Sequence, residues 1–188
     1  MNVINLISDI KQALDAEAYF SALALILILP DICAKAEYGD TARNKERYIN
    51  WYNEYIGEYE KSPKLENEVD TPYLSGEVVY QLRCMILHQG TLDVDKDKIE
   101  EVACKIDKLT LITQKSNKFD IYVDSSSVSQ DENANIQERT YAINIQRLNL
   151  IITEAVKKYY ENNKEKFDFM KWQIIDFDKT AEKNGFSF

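Results

Sequence analysis

The sequence predicts a mainly α-helical domain that carries a small β-hairpin. The chain has 188 residues, of which 45% are hydrophobic, so we expect one domain with a sizeable core over residues 1–188. It contains only 5 Gly and 3 Pro, too few turn-forming residues for a sandwich or a barrel. Apolar residues also recur at helical spacing along much of the chain.

Two helices are predicted in the first forty residues. Over residues 3–16 one face is apolar, and its members are Val3, Leu6, Ile7, Ile10 and Leu14. Residues 16–37 are apolar nearly all round, which is typical of a helix at the centre of a core. We expect Pro30 to kink or interrupt this helix, Asp31 to cap the resumed helix and Gly39 to end it.

Two further helices follow. The third helix is predicted from Asp40 to Lys61, where aromatic residues recur at spacings of three and four; they are Tyr48, Trp51, Tyr52, Tyr55 and Tyr59. These rings could stack on bases, but packing in the core of a bundle explains the pattern more simply. An acidic loop (61–72) precedes a fourth helix from about Pro72 to Gln89, with Thr71 as N-cap and Gly90 as stop. The apolar stripe of this fourth helix is Val78, Val79, Leu82, Met85 and Ile86.

The second half of the chain mixes both periodicities. A short helix is predicted from Asp95 to Ile106. The alternating runs "KLTLITQ" and "KFDIYVD" predict a β-hairpin at about 108–124, and "SSSVSQDENAN" predicts a linker. A long helix is expected from Ile136 to Asn162, with an apolar stripe of Tyr141, Ile145, Leu148, Ile152, Val156 and Tyr159. The tail, at about 167–188, is amphipathic and is expected to dock on the bundle.

Composition excludes several classes of function. The net charge of −9 argues against a non-specific nucleic-acid coat, which needs a basic stripe. Three cysteines without a CxxC pair predict reduced thiols in the cytoplasm. One histidine leaves no Cys/His zinc site in one chain, and the acidic run near residue 95 lacks calcium-loop spacing, so we expect neither metal nor cofactor.

Two segments bear on membrane targeting. The start of the chain lacks the basic region of a signal peptide. The stretch Ala18–Leu29 is too short to span a bilayer, so a buried helix and no membrane contact are expected.

The fourth helix carries Arg83 and the chain's only histidine, His88. In a regular α-helix the two stand about 140° apart, on opposite flanks of the apolar stripe. One interpretation is an ordinary surface, with His88 stabilised by the helix C-terminus. The other is a pocket shared with a second copy, in which two imidazoles serve as base and acid while guanidinium groups bind phosphate. Gln81, Cys84 and Leu87 are the candidate lining residues of that pocket.

Other residues have competing interpretations. Cys84 and His88 have the i, i+4 spacing of a thiol–imidazole pair, but a small residue that allows close helix approach is the simpler role for Cys84. In "DTARNKER", Arg43, Lys45 and Arg47 are candidates for steering RNA toward the pocket. Because acidic residues are interleaved with them, the same stretch is also typical of a salt-bridged helix start.

The motif "RCMILH" resembles the R-x4-6-H motif of the HEPN superfamily. Three segments resemble a plasmid- and bacterium-borne branch of it in wording and order: "YFSALALILILPDICAKAEYG", "RYINWYNEYI" and "YLSGEVVYQLRCMILHQG". The resemblance covers roughly residues 10–90 and implies a bundle of four or five helices that dimerises through the motif helix.

The resemblance also implies a function. Active members of the superfamily are metal-independent endoribonucleases, many of them in toxin–antitoxin or phage-defence systems, and RNA and an antitoxin are the implied partners. Arg83 and His88 match the cleft residues: His88 would move protons and Arg83 would bind the phosphate. Ribonuclease members often carry Asn, Asp or His directly after the Arg, where this chain has Cys84. A non-catalytic module that binds nucleotide, RNA or protein is therefore the alternative.

Overall fold

The computed structural model is a bundle of helices arranged around one central helix. It describes residues 2–60, 74–92, 97, 99, 108–113, 140–170, 175–177 and 180. The elements in order are α1 (Val3–Asp15), α2 (Tyr19–Tyr38), α3 (Asn44–Tyr52), α4 (Glu58–Glu60), α5 (Gly76–Cys84), β1 (Lys108–Ile112), β2 (Thr140–Asn144) and α6 (Ile145–Asn162). π-helical turns continue α3 (Asn53–Gly57) and α5 (Met85–Gln89), and a 3-10 turn (Lys164–Phe167) follows α6. The prediction of a mainly α fold is confirmed.

Helix α2 lies at the centre, in contact with α1, α3, α5 and α6. It continues through Pro30 and ends at Gly39, so the prediction that Pro30 interrupts it is wrong. A proline inside a helix removes a hydrogen bond at a cost of about 3 kcal/mol. Here Pro30 is itself buried among the packed helices, whose contacts offset that cost. Asp31 therefore lies inside a continuous helix, and its predicted role as the cap of a second helix is also wrong.

The length of α2 bears on membrane association. Because Pro30 does not end it, the helix reaches 20 residues with a mean hydropathy of 1.7, and by length and composition it is long and apolar enough to cross a bilayer. Among the described residues no other helix meets that criterion. Length and hydropathy do not separate a membrane span from the core helix of a globular domain, and α2 here packs against four neighbouring helices.

The aromatic residues of α3 form part of the core. Tyr48, Trp51 and Tyr52 have no exposed surface, whereas Tyr59 is 83% exposed. The ring of Trp51 stacks on Tyr55 with centroids 5.0 Å apart and meets Tyr159 of α6 edge-on at 5.6 Å. The apolar stripe predicted for the fourth helix is likewise buried at all five positions. The core interpretation of both patterns is confirmed except at Tyr59, which does not belong to the core.

Helix α5 begins later than predicted. Ser75 is its N-cap, with the hydroxyl accepting a hydrogen bond from the Val78 amide at 3.3 Å, so Thr71 is not the cap. Gly76 follows, and a Cβ there would lie 2.7 Å from the carbonyl oxygen of Ile49. The Gly76 amide also donates to Asn53 Oδ1 at 2.7 Å. The start of α5 is therefore fixed by its close crossing with α3.

The described strands form a parallel pair, β1 with β2, in which Leu109 lies opposite Tyr141 and Leu111 opposite Ile143. β1 coincides with the first predicted hairpin strand, but its described partner comes from the segment that was predicted as the start of the long helix. That helix begins at Ile145, because Asn144 Oδ1 accepts from the amides of Gln146 and Arg147 and caps it. A helical start at Ile136 is therefore wrong.

Several predictions lie outside the described residues. They concern the acidic loop at 61–72, most of the short helix at 95–106, the second hairpin strand at 118–124, the linker at 125–135 and most of the tail at 167–188.

Glu37 connects α2 to α6 and to the 3-10 turn that follows α6. Its Oε2 accepts hydrogen bonds from the hydroxyl of Tyr159 and from Lys166 Nζ, the latter at 2.7 Å. The hydrogen bond from Lys166, followed by that from Tyr159, lowers the pKa of the Glu37 carboxyl. A carboxyl with a lowered folded-state pKa stabilises the fold above its ordinary pKa, and this stabilisation is lost as the pH falls through the lowered value.

We expect Glu37→Gln to lower the free energy of unfolding by about 0.5–1 kcal/mol at pH 7, as for a partly exposed ion pair. The difference from wild type should shrink at a pH of about 3, because Gln does not titrate. Urea unfolding followed by circular dichroism measures both values. Glu154→Gln, which breaks an exposed pair with Lys157 on α6, is the control and should cost less than about 0.5 kcal/mol. An equal cost for Glu37→Gln at both pH values would contradict the assignment.

Candidate active site

The candidate site lies where α5 passes into the π-helical turn Met85–Gln89. In a π-helical turn the backbone hydrogen bonds join residues i and i+5, and here the Gly90 amide donates to the carbonyl of Met85. Gly90 then ends the turn with φ of +67°, as its position predicted. The wider turn brings side chains five residues apart close together, and Arg83 Nη1 lies 3.0 Å from His88 Nε2. The two residues, predicted on opposite flanks of the apolar stripe with both turned toward the other face of the helix, thus meet through their side-chain ends.

Arg83 is held from its other side by Asp31 of α2. Arg83 Nε donates to Asp31 Oδ2 at 2.9 Å, and the two side chains are only 20% and 24% exposed. Burial raises the pKa of Asp31, and Arg83 offsets only part of that shift. Burial acts to lower the pKa of Arg83, but the Asp31 carboxylate raises it above its ordinary value. The guanidinium therefore stays charged, and its orientation is set by the central helix.

The contact with Arg83 also defines the protonation pattern of His88. A guanidinium has only N–H donors, so Nε2 of His88 must accept the hydrogen bond and Nδ1 must carry the ring proton. His88 itself is exposed. Asp31, Arg83 and His88 thus form a chain of contacts from the core to the surface.

A cleft of about 360 Å³ opens beside His88. Its described lining residues are Lys45, Tyr80, Gln81, Cys84, Met85, His88, Gln89 and Asp97. Two of the three predicted lining residues, Gln81 and Cys84, therefore share a cleft with His88. Leu87 is half-buried, packs against the core and does not line the cleft.

The predicted RNA-steering residues occupy three different positions. Arg43 is exposed and precedes the first residue of α3, and Lys45 lines the cleft. Arg47 is 9% exposed, and its guanidinium donates to the Gly39 carbonyl, to Asn44 and to Asp40 at 3.4 Å. Arg47 therefore holds the end of α2, whereas Arg43 is exposed and Lys45 is half-buried at the cleft.

The cysteines differ in accessibility. Cys33 is buried in the core, and that burial raises the pKa of its thiol, so it is an unreactive packing residue. Cys84 is half-buried and lines the cleft one residue after Arg83. Among the described residues, no group of three or more His, Cys, Asp or Glu side chains is arranged to hold a metal ion.

Sequence reasoning missed the part that Asp31 plays in the site. A signal was present, because Asp31 stands in a helix that is apolar nearly all round, and a carboxylate in such a place needs a cationic partner. The partner itself was not evident from the sequence, because Arg83 lies on another helix, 52 residues away. Comparisons of this chain with family models, curated proteins and solved structures found no match.

We expect the ion pair to respond asymmetrically to mutation. Arg83→Gln leaves a largely buried carboxylate without its cation and should cost about 2 kcal/mol at pH 7, whereas Asp31→Asn removes a charge that is costly to bury and should change stability by less than about 1 kcal/mol. A carboxyl with a raised folded-state pKa destabilises the fold as the pH rises through that value, so the cost of Arg83→Gln should shrink toward acidic pH.

Urea unfolding of the three proteins at neutral and acidic pH tests this expectation. Arg43→Gln, the same change at an exposed arginine, should stay within about 0.5 kcal/mol of wild type. An Arg83→Gln cost as small as that of Arg43→Gln would show that the pair does not stabilise the fold.

The tautomer of His88 gives a direct readout of its contact with Arg83. Because the chain has one histidine, a long-range proton–nitrogen spectrum of the imidazole contains a single ring. At a pH of about 8.5, where an ordinary imidazole is neutral, we expect the Nδ1–H tautomer in wild type. Arg83→Gln should shift the ring toward the Nε2–H form, and Arg43→Gln should not. A ring of the Nε2–H form in wild type would rule out the contact in solution.

Proposed function

We propose that this protein is a HEPN-like, metal-independent endoribonuclease that acts as a homodimer through Arg83 and His88. The observation that carries the proposal is the 3.0 Å contact between Arg83 and His88 at the π-helical turn. It combines a group that moves protons with a group that binds phosphate. These are the two functions needed to cleave RNA through its own 2′-hydroxyl.

In the proposed reaction, His88 Nε2 accepts the proton of the 2′-hydroxyl as its oxygen attacks the adjacent phosphorus. The bond from phosphorus to the 5′-oxygen then breaks, and that oxygen receives a proton from a general acid. The products are a 2′,3′-cyclic phosphate and a 5′-hydroxyl end. No oxidation or reduction takes place, and the charge that develops on the phosphate oxygens is matched by a guanidinium.

Arg83 is suited to the phosphate-binding role. Asp31 accepts from its Nε and Nη1 contacts His88, and each of Nη1 and Nη2 carries two N–H groups that can donate to phosphate oxygens. When Nη1 turns from His88 to the phosphate, the lone pair on His88 Nε2 becomes available to take a proton. The resting contact between Arg83 and His88 is therefore compatible with the reaction, provided that substrate displaces it.

The reaction needs a general acid as well as a general base, and this need supports a homodimer. The chain has one histidine, so a second imidazole must come from a second copy. His88 is exposed and therefore accessible to a partner across a two-fold axis. The family resemblance of the motif supports the same arrangement, together with a role in toxin–antitoxin or phage defence and an antitoxin as a further partner.

A non-catalytic binding module is the second candidate function. Two observations favour it: His88 Nε2 is engaged by Arg83, and Cys84 stands where ribonuclease members often carry Asn, Asp or His. In that case Arg83 and the cleft would bind nucleotide or RNA without turnover, or would contact a protein partner.

We expect the protein to cleave mixed RNA in the presence of EDTA and to leave cyclic phosphate ends, which phosphorus NMR detects. His88→Ala should reduce the rate by about 10²–10⁴-fold, the usual contribution of a general acid–base group. Because His88 is exposed, this variant should keep its stability. Gln12→Ala, at an exposed position of α1 outside the cleft, is the control and should retain activity. Intact RNA with wild type, or equal rates for wild type and His88→Ala, would contradict catalysis.

Mixing experiments test the shared site. Adding an excess of His88→Ala protein to a fixed amount of wild type should lower the activity per wild-type chain, because mixed dimers hold one imidazole. Sedimentation measures whether dimers form. Unchanged activity in the mixture would show that one chain contains the complete site. RNA that binds but stays intact would favour the binding module.

A further inference from the structure

The contact between Arg83 and His88 depends on the protonation state of the imidazole. Arg83 Nη1 lies 3.0 Å from His88 Nε2, and the nitrogens of a guanidinium only donate hydrogen bonds. The contact therefore requires the lone pair on Nε2, which an imidazole loses when it takes up a proton. A protonated His88 presents an N–H group and a positive charge to the guanidinium instead. Protonation thus turns an attractive contact into a repulsive one.

Arg83 keeps its second attachment when this contact breaks. Its Nε donates to Asp31 Oδ2 at 2.9 Å, a hydrogen bond that does not involve His88. The side chain of Arg83 is only 20% exposed, so the packing around it also limits its movement. His88 is exposed, and its ring is therefore the part of the pair that can turn. After protonation two cations with N–H donors lie side by side, and an oxyanion that accepts from both offsets their repulsion.

We infer that Arg83 and His88 form a proton-dependent oxyanion site. A proton taken up from solvent by His88 opens the pair, and both side chains then donate to one phosphate or sulfate group. The anion supplies negative charge between the two cations, and its oxygens accept from Arg83 Nη1 and His88 Nε2. Since the coupling between two ligands is reciprocal, the bound anion in turn favours uptake of the proton. The pair is closed when His88 is neutral and open when it is charged.

Other titratable groups lie around His88. Among the described residues these are the carboxylates Asp31 and Asp97, the cation Lys45, and the neighbours Tyr80, Cys84 and Arg83 on its own helix. Burial raises the pKa of Asp31. A carboxylate that takes up a proton also makes the site more positive, so the experiment has to separate His88 from Asp31 and Asp97.

One part of the inference rests on the proposed function. In the proposed reaction one imidazole of the dimer is the general base and the other is the general acid. The chain whose His88 is protonated would then be the one in which Arg83 is released to bind the phosphate. Binding of the anion by itself requires neither cleavage nor a second copy, so the oxyanion site and the ribonuclease activity can fail separately.

The experiment measures the affinity for sulfate at two pH values, from amide chemical shifts at constant ionic strength. Sulfate keeps the same charge at both, whereas an ordinary imidazole is roughly 90% protonated at a pH of about 5.5 and roughly 10% at about 7.5. Wild type should therefore bind sulfate about five- to tenfold more tightly at the lower pH.

Three variants locate the effect. His88→Gln keeps an acceptor for Arg83 but cannot take up a proton, so its sulfate affinity should be low and equal at both pH values. Arg83→Gln should bind sulfate weakly at both. Lys11→Gln, which removes a positive charge from an exposed position of α1, is the control and should keep the affinity and the pH dependence of wild type.

The dinucleotide of thymidine is the second probe, since its phosphodiester lacks the neighbouring 2′-hydroxyl and stays intact. Tighter binding of this dinucleotide at the lower pH would support the inference and assign the site to phosphates of a nucleic acid. The same dependence with sulfate alone would support it for a free oxyanion.

Equal sulfate affinity of wild type at both pH values, or no binding at either, would overturn the inference. A pH dependence that persists in His88→Gln would overturn it as well, because Asp31, Asp97 or another group then carries the effect. These comparisons hold even where Arg83→Gln does not fold. RNA cleavage that depends on His88, combined with pH-independent sulfate binding, would refute the oxyanion site alone.

Discussion

The ion pair between Asp31 and Arg83 connects the central helix to the helix that carries the candidate site. α2 contacts four other helices, and its apolar surface determines where they pack. Asp31 is the acidic residue in the middle of that surface, and burial makes its charge unfavourable unless a cation lies close. Arg83 meets this requirement, and in doing so it is held in one orientation at the edge of the core. The direction of its remaining N–H donors therefore follows from the packing of the bundle.

The π-helical turn Met85–Gln89 is the second feature, after the ion pair, that determines the geometry of the candidate site. Such turns are rare and weaken regular helical hydrogen bonding, and they are found frequently at functional sites. Here the turn Met85–Gln89 keeps Met85 and Ile86 in the core while it moves His88 next to Arg83. The same turn therefore supplies apolar side chains to the core and an imidazole to the candidate site.

The candidate site and the cleft share one helix. Arg83 and His88 offer groups suited to a phosphate and a proton, and His88 also lines the cleft. Arg83 is anchored by Asp31, whereas His88 is exposed. Lys45 of α3 is the cation that the fold adds to this cleft, while Arg47 two residues later is used to hold the end of α2.

Periodicity in the sequence was sufficient to predict the helical class, the central apolar helix and the buried stripes, because burial of apolar side chains is the dominant force and leaves a repeating pattern. Composition and the spacing of Arg83 and His88 also identified the helix of the candidate site. Tertiary structure decided what no local pattern records. In the folded protein α2 stays helical through Pro30, and β1 pairs with a strand distant in sequence. Asp31 likewise pairs with Arg83, which lies 52 residues away. It also widened the end of α5, since contacts between elements can outweigh the local preference of a segment.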